Sequence, residues 1–252
     1  MSCASCVLVI AASDSSGGAG LSRDVETLAA FGVRSAVALT AITVQTHEAV
    51  HRVAPVEPAL LADQIEAAFS ANNIKAVKIG LLPTIPTIME TAAALRRHPN
   101  IPVILDPVLA ASSGGALTDA EIAKALAAEL VPLSTITTPN RDELAVLAGA
   151  QTAVNDEAVF TQSRTLLKTG AAAVLAKGGH GTGSSSTDHL LLAGQPEIAF
   201  NAPRLDTSMR GTGCMLASGI AAGLALGQPL ETSVAGAKRF VYARLRAAAK
   251  DR

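Results

Sequence analysis

The run Met209-Arg210-Gly211-Thr212-Gly213-Cys214 gathers more chemical potential than any other stretch of this chain. Two glycines straddle a threonine, and a small-residue helical pattern, Met215-Leu216-Ala217-Ser218-Gly219-Ile220, follows at once. A tight turn opening into a helix presents that helix's unpaired N–H groups, which together make an anion site. Glycine lets a phosphate come close to such a backbone because no Cβ intervenes. Cys214 falls at the positive end of the helix, where a thiol is expected to ionise more easily. The run points to phosphate handling, with a reactive group beside the phosphate.

Other polar clusters recur along the chain, each after a short apolar run. They are Ser13-Asp14-Ser15-Ser16-Gly17-Gly18-Ala19-Gly20, Gln45, Gly80, Asp106-Pro107-Val108, Thr138-Pro139-Asn140 and Lys177-Gly178-Gly179-His180. The apolar runs at 7–11, 36–43, 76–79, 103–105, 135–137, 173–176 and 189–192 read as strands, several apolar throughout as strands covered on both faces are. Between them, Leu, Ile and Ala recur at helical spacing over 23–31, 58–71, 86–97, 119–130, 142–147 and 157–168, and two further helices, 213–226 and 230–249, close the chain. Thr118 stands as a helix cap, and Gly32 and Gly170 follow helix ends. Repeated β-α-β predicts an α/β fold, a mostly parallel doubly wound sheet with helices on both faces, in a single domain over 1–252. In such sheets ligands collect beyond the carboxyl ends of the strands, where the polar clusters fall.

Composition narrows the field. A chain of 252 residues can bury a sizeable core. A net charge of −1 offers no basic footprint for nucleic acid, and with no Trp and one Tyr there is no base-stacking platform. No apolar run approaches the roughly 20 residues of a membrane span. Three cysteines make no disulfide framework, so a reducing cytoplasm is expected. The Cys3/Cys6 pair has no second pair to complete a metal site, and the five histidines lack ligand spacing.

Taken in order, Ser16-Gly17-Gly18-Ala19-Gly20 with Asp24, Thr40-Ala41…Gln45-Thr46, Lys78-Ile79-Gly80-Leu81-Leu82, Leu105-Asp106-Pro107-Val108, Thr138-Pro139-Asn140, Ala176-Lys177-Gly178-Gly179-His180 and Gly211-Thr212-Gly213-Cys214 resemble the ribokinase-like superfamily. Within it they resemble the hydroxymethylpyrimidine/phosphomethylpyrimidine kinases of thiamine biosynthesis, over nearly the whole chain. The resemblance implies a three-layer fold and ATP-dependent phosphorylation of 4-amino-5-hydroxymethyl-2-methylpyrimidine and of its monophosphate. It implies that Gly211, Thr212 and Gly213 cradle the transferring phosphoryl with Lys177, and that Cys214 lies beside the attacking hydroxymethyl. Gln45, Asp24, Gly18 and Leu82 would form the acceptor side. A carboxamide such as Gln45 presents a donor and an acceptor side by side, the complement of an aminopyrimidine edge. Asp106, Asn140, Lys177, Arg210 and Asp188 would border the nucleotide, and Asn140, Glu143 and Asp106 would reach Mg²⁺, partly through water. A homodimer is the family expectation.

Two departures stand out. Arg210 replaces the histidine usual before the Gly-Thr-Gly-Cys turn, and could grip a phosphate bidentately or pair with a neighbouring acid. The loop Leu109-Ala110-Ala111-Ser112-Ser113-Gly114-Gly115 lacks the lysine or threonine common near Ser112. Both bear on phosphorylation of the monophosphate. Rival readings are a pyridoxal-type kinase on the same fold and a non-catalytic pyrimidine-binding relative.

Overall fold

The computed structural model describes residues 5–109, 119–179 and 183–250. An eight-stranded sheet lies between two helical layers. Its strands are β1 (Cys6–Ala11), β2 (Arg34–Leu39), β5 (Ile74–Ile79), β6 (Val103–Leu105), β7 (Ile136–Thr137), β8 (Ala173–Ala176), β9 (Ser185–Leu192) and β10 (Ile198–Pro203), ordered β10-β9-β8-β7-β6-β5-β1-β2. The pairings from β8 to β2 are parallel, and β9 and β10 add an antiparallel edge. The strands β3 (Ala41–Gln45) and β4 (Val50–Pro55) form a separate antiparallel hairpin.

Alternation along β1 explains the layers. Cys6, Leu8 and Ile10 face a core built with α2 (Pro58–Ala71), α3 (Ile85–Arg96), α4 (Ala120–Glu129), α5 (Arg141–Leu147) and α6 (Asp156–Lys168). Val7, Val9 and Ala11 face the opposite core, built with α1 (Gly20–Ala30), α7 (Thr212–Ala225) and α8 (Leu230–Lys250). A strand buried on both faces must be apolar throughout, and β1 is. Two lysines interrupt β5, of which Lys75 is exposed and Lys78 breaks the rule inside the core. Lys78 shares a face with Ala76, toward α1 and α7, and is fully buried there.

The single strand expected over 36–43 is two. The Thr40 N–H still bonds the Ala11 carbonyl at 3.1 Å and its hydroxyl donates to the Leu81 carbonyl at 2.7 Å, and from Ala41 the chain runs outside the main sheet in β3. β4 and β10 were not anticipated. His51 and Arg52 interrupt the apolar alternation of β4, and β10 is an edge strand ending in Pro203. The cap of α4 is Asp119, whose carboxylate accepts from the Ile122 N–H; the expected cap Thr118 lies outside the described residues. Gly32 and Gly170 do follow helix ends, at φ +71° and +115°. Cys6 is buried in β1 and Cys3 lies outside the described residues.

Candidate active site

The parallel ladder sets the site residues side by side. It runs past the ends of β6, β7 and β8: the Asp106 N–H bonds the Ile79 carbonyl at 2.9 Å, Thr138 N–H the Leu105 carbonyl at 2.9 Å, and Lys177 N–H the Pro139 carbonyl at 2.8 Å. Strands neighbouring in space thus deliver Asp106, Thr138, Asn140 and Lys177 along one rim. Lys177 Nζ lies 2.8 Å from Asp106 and 3.6 Å from Glu143. Thr138 Oγ1 donates to Asp106 Oδ1 at 3.2 Å. Burial alone would raise the Asp106 carboxyl, but Lys177 and Lys78 outweigh it and hold it below the usual carboxylate range. Burial, helped by Asp106, pushes Glu143 up despite Lys177. Burial would lower Lys177, yet Asp106 and Glu143 keep it protonated well beyond neutrality.

Gly211–Thr212–Gly213 stands over this cluster at the start of α7. Gly211 is left-handed, φ +75°, and a Cβ there would meet the Gly18 carbonyl at 2.5 Å, so the turn and the loop after β1 touch backbone to backbone. A Cβ on Gly213 would lie 3.3 Å from Lys177 Nζ and 3.6 Å from Asp106. That glycine leaves the space between the helix N-terminus, a lysine and a carboxylate unfilled. Thr212, Gly213 and Cys214 are partly exposed, so the turn is not sealed under side chains.

The thiol corrects the sequence expectation. Cys214 does occupy the first turn of α7, but, although the residue is partly exposed, the protein packed around its sulfur shuts out water and pushes it up to about 11. Asp24 and Asp106 push the same way, while Lys78 and a hydrogen bond from the Gly20 N–H pull it down without winning. At neutral pH the group is a thiol.

Several expected residues stand elsewhere. Asp24 does not face the rim. It is fully buried beneath it, 2.8 Å from Lys78 Nζ, and accepts from Ser218 Oγ on α7 at 2.7 Å. Burial pushes its carboxyl up even against Lys78, while Asp24, Cys214 and Asp106 together hold Lys78 charged against burial. Leu82 is buried in the apolar core with α3. Asp188 on β9 is buried, accepts from the Gly178 N–H at 2.9 Å and pairs with Lys238 at 2.8 Å, so it shapes the lysine-glycine turn from behind. Arg210 reaches the loop after β1 and the β3–β4 hairpin. It lies 3.3 Å from Asp14 and donates to Ser16 Oγ at 2.7 Å, to the Thr46 carbonyl at 2.9 Å and to Gln45 Oε1 at 3.3 Å. Gly18 abuts it: a Cβ there would be 3.0 Å from Arg210 Nη1. Asn140 and Glu143 form a reciprocal cap on α5, each accepting from the other's N–H, at 2.9 and 2.7 Å. His180 and residues 110–115 of the loop after Asp106 lie outside the described residues.

Sequence reasoning did not assign roles to Lys78, Asp14, Ser16 or Ser218. Lys78 carried a readable signal, a charged residue at an inward position of an apolar strand. Asp14 and Ser16 carried none beyond membership of a polar loop.

The comparisons with known proteins bear on this rim. A family model described as phosphomethylpyrimidine kinase matches residues 14–251. The chain belongs to that family. It is 42% identical to the hydroxymethylpyrimidine/phosphomethylpyrimidine kinase of Rhizobium meliloti over 242 residues, covering 96% of this chain and 90% of that protein. It superposes on the crystal structure of phosphomethylpyrimidine kinase from Clostridium difficile with a TM-score of 0.82 at 32% identity, covering 95% and 98% of the two chains. It also superposes on the pyridoxal kinase from Staphylococcus aureus in complex with AMP-PCP and pyridoxal, TM-score 0.86 at 28% identity, covering 95% and 87%. The chain is a kinase of the ribokinase-like fold, and its family implies ATP as the phosphoryl donor.

Proposed function

We propose that this kinase moves the γ-phosphoryl of ATP to the hydroxymethyl oxygen of 4-amino-5-hydroxymethyl-2-methylpyrimidine, and then phosphorylates the resulting monophosphate, in thiamine biosynthesis. The observation that carries the reading is the direct link between the two halves of the rim. Gln45, able to read an aminopyrimidine edge, is hydrogen-bonded to Arg210, and Arg210 leads straight into the Gly211–Thr212–Gly213 anion turn. The curated relatives with this name, rather than pyridoxal kinases, are those at 36–42% identity.

In the transfer, the acceptor oxygen bonds to the γ-phosphorus as the bond to the β–γ bridging oxygen breaks, ADP leaves, and the hydroxyl proton passes late to an oxygen of the transferred phosphoryl group and from there to water. The amides of 212–214 and Lys177 stabilise the charge on the phosphoryl oxygens. A loose transition state asks for little deprotonation of the attacking alcohol, so a neutral Cys214 thiol serves to orient the hydroxyl. Among the described residues no three acids, histidines or cysteines gather into a metal cage. The rim nonetheless suits Mg²⁺, which keeps several waters and takes one or two carboxylates besides phosphate oxygens. Asp106 and Glu143, with the Asn140 amide beside them, would hold it, and it would neutralise phosphate charge. A homodimer belongs to the same reading, supported by the exposed Val37 on β2 and Ile42 and Val44 on β3; sedimentation at micromolar concentration tests it. Cytoplasmic location accords with this metabolic role.

ADP release with the alcohol, its monophosphate and pyridoxine as separate acceptors tests the assignment. The expected result is turnover of both pyrimidines with kcat/KM at least tenfold above pyridoxine. Preference for pyridoxine, or ATP hydrolysis indifferent to all three, defeats it.

A further inference from the structure

Arg210 is chemically unlike a passive neighbour of Gln45. Its guanidinium can only donate hydrogen bonds, so the atom of the Gln45 carboxamide that faces it must be the oxygen. A neutral imidazole in that place could face either end of the amide. The guanidinium is itself held from two sides, by Asp14 and Ser16 of the loop after β1 and by the Thr46 carbonyl of the hairpin. Gln45 is equally fixed through its backbone. The Ser15 hydroxyl accepts from the Gln45 N–H at 2.9 Å and donates to its carbonyl at 2.8 Å. A shift in register between Val44 and Gln45 turns the residue out of the regular hairpin pattern. Its Nε2 has no hydrogen-bond partner among the described residues. One end of the amide is therefore spoken for and the other is an open donor.

We propose that Arg210 is a positioning and specificity residue which acts through Gln45, fixing the carboxamide with Oε1 toward the anion turn and Nε2 away from it. This rests on the acceptor assignment above and deepens it. An aminopyrimidine ring pairing with this amide must place its exocyclic amino group at Oε1 and its adjacent ring nitrogen at Nε2. In 4-amino-5-hydroxymethyl-2-methylpyrimidine the hydroxymethyl group is on the carbon next to the amino-bearing one. With Oε1 on the Arg210 side, the amino group and the neighbouring alcohol lie toward Gly211 and Cys214. A flipped amide would favour a flipped ring with its alcohol turned away. Arg210 thus couples recognition of the ring to delivery of the hydroxyl, and it makes an unprotonated ring nitrogen a requirement of the acceptor.

Steady-state kinetics with the pyrimidine alcohol and its 3-deaza analogue, in which CH replaces the ring nitrogen beside the amino-bearing carbon, test this. The native enzyme should favour the pyrimidine by about tenfold or more in kcat/KM, because the analogue leaves a fixed donor unpaired. In Arg210→Ala that ratio should fall to about threefold or less, while the KM for ATP stays within about twofold. Gln45→Glu, which keeps Arg210 but leaves only acceptor atoms, should lose the preference entirely without needing Arg210 removed. A ratio unchanged in Arg210→Ala overturns the proposal, as does an equal loss for both acceptors, which would mean that Arg210 only secures the hairpin. The acceptor assignment fails separately: if Gln45→Ala leaves the acceptor KM unchanged, Gln45 does not read the ring, and both statements fall.

Discussion

The Lys78–Asp24 pair and the Lys177–Asp106 pair are each 2.8 Å apart, and in each the carboxylate keeps the lysine protonated. Their surroundings differ. Lys78 and Asp24 side chains are 1% and 0% exposed, and Ser218 takes the remaining acceptor oxygen. Lys177 is 15% exposed beside the gap left by Gly213, with a second carboxylate, Glu143, on its other side. The inner pair is closed and joins α1, β5 and α7 beneath the anion turn. The outer pair has charge left to offer a ligand. An ion pair's length says little about its purpose; who else can reach it says more.

Removing each lysine should split these roles. Lys177→Ala should lower kcat/KM by about 10³-fold, the scale of losing a preorganised charge at a transferring phosphoryl group. Its melting temperature should fall less than that of Lys78→Ala, since Lys78 still faces the buried Asp106 carboxylate and removing the partly exposed Lys177 side chain opens that carboxylate to water. A loss of under tenfold, measured by ADP release, would make Lys177 a structural partner of Asp106 after all. Lys78→Ala should act on the fold: leaving the Asp24 carboxylate buried and unpaired costs about 3–5 kcal/mol. Urea unfolding checks this. Replacing the pair together, Lys78→Met with Asp24→Leu, should recover most of that loss, because two apolar side chains leave no orphaned charge. If the double variant is no more stable than the single, the pair is not what holds these elements.

The same contrast explains what could be read in the sequence. β1 was legible to within one residue because burial on both faces forces an unbroken apolar run. The break at Thr40 was hidden because nothing local marks a threonine whose hydroxyl bonds the Leu81 carbonyl 41 positions away. At the site, glycines and strand ends located the rim, since turn chemistry is local. Pairings were not local. Arg210 finds Gln45 across 165 positions and Ser218 finds Asp24 across 194, and no spacing rule connects them. Asp24 therefore fits a ligand-facing acid and a first-turn helix carboxylate equally well from sequence, while its partners lie inside, and at Cys214 burial outweighs the helix dipole.

Cys214 sits between the two pairs and feels both, so it offers a smaller and sharper test. As a neutral group that orients the alcohol, its replacement by Ala should lower kcat about tenfold and leave the acceptor KM within about twofold. A fall of 10³ or more would restore a proton-accepting role. The pH dependence has a definite sign. A thiol raised to about 11 is protonated more readily in the folded chain than in the unfolded one, so the resulting stability is complete below its ordinary value near 9 and disappears as pH climbs through 11. Modification of the 214 peptide by iodoacetamide, followed by mass spectrometry, should accelerate about tenfold per pH unit from 7 to 10 without levelling. A plateau by pH 8 would mean that the helix terminus does win.

A third lysine pair removes distance from the argument altogether. Lys124 and Glu121 on α4 are 2.7 Å apart, slightly closer than either of the other pairs, and their side chains are 74% and 68% exposed. Water already solvates both charges, and holding two long side chains together forfeits rotamer freedom. Glu121→Gln should therefore shift neither the melting temperature nor kcat/KM measurably. Measured next to Lys78→Ala and Lys177→Ala under the same salt, it sets the baseline that proximity alone provides. A destabilisation comparable with that of Lys78→Ala would show that short ion pairs matter here wherever they occur, and the distinction between the inner and outer pairs would lose its basis.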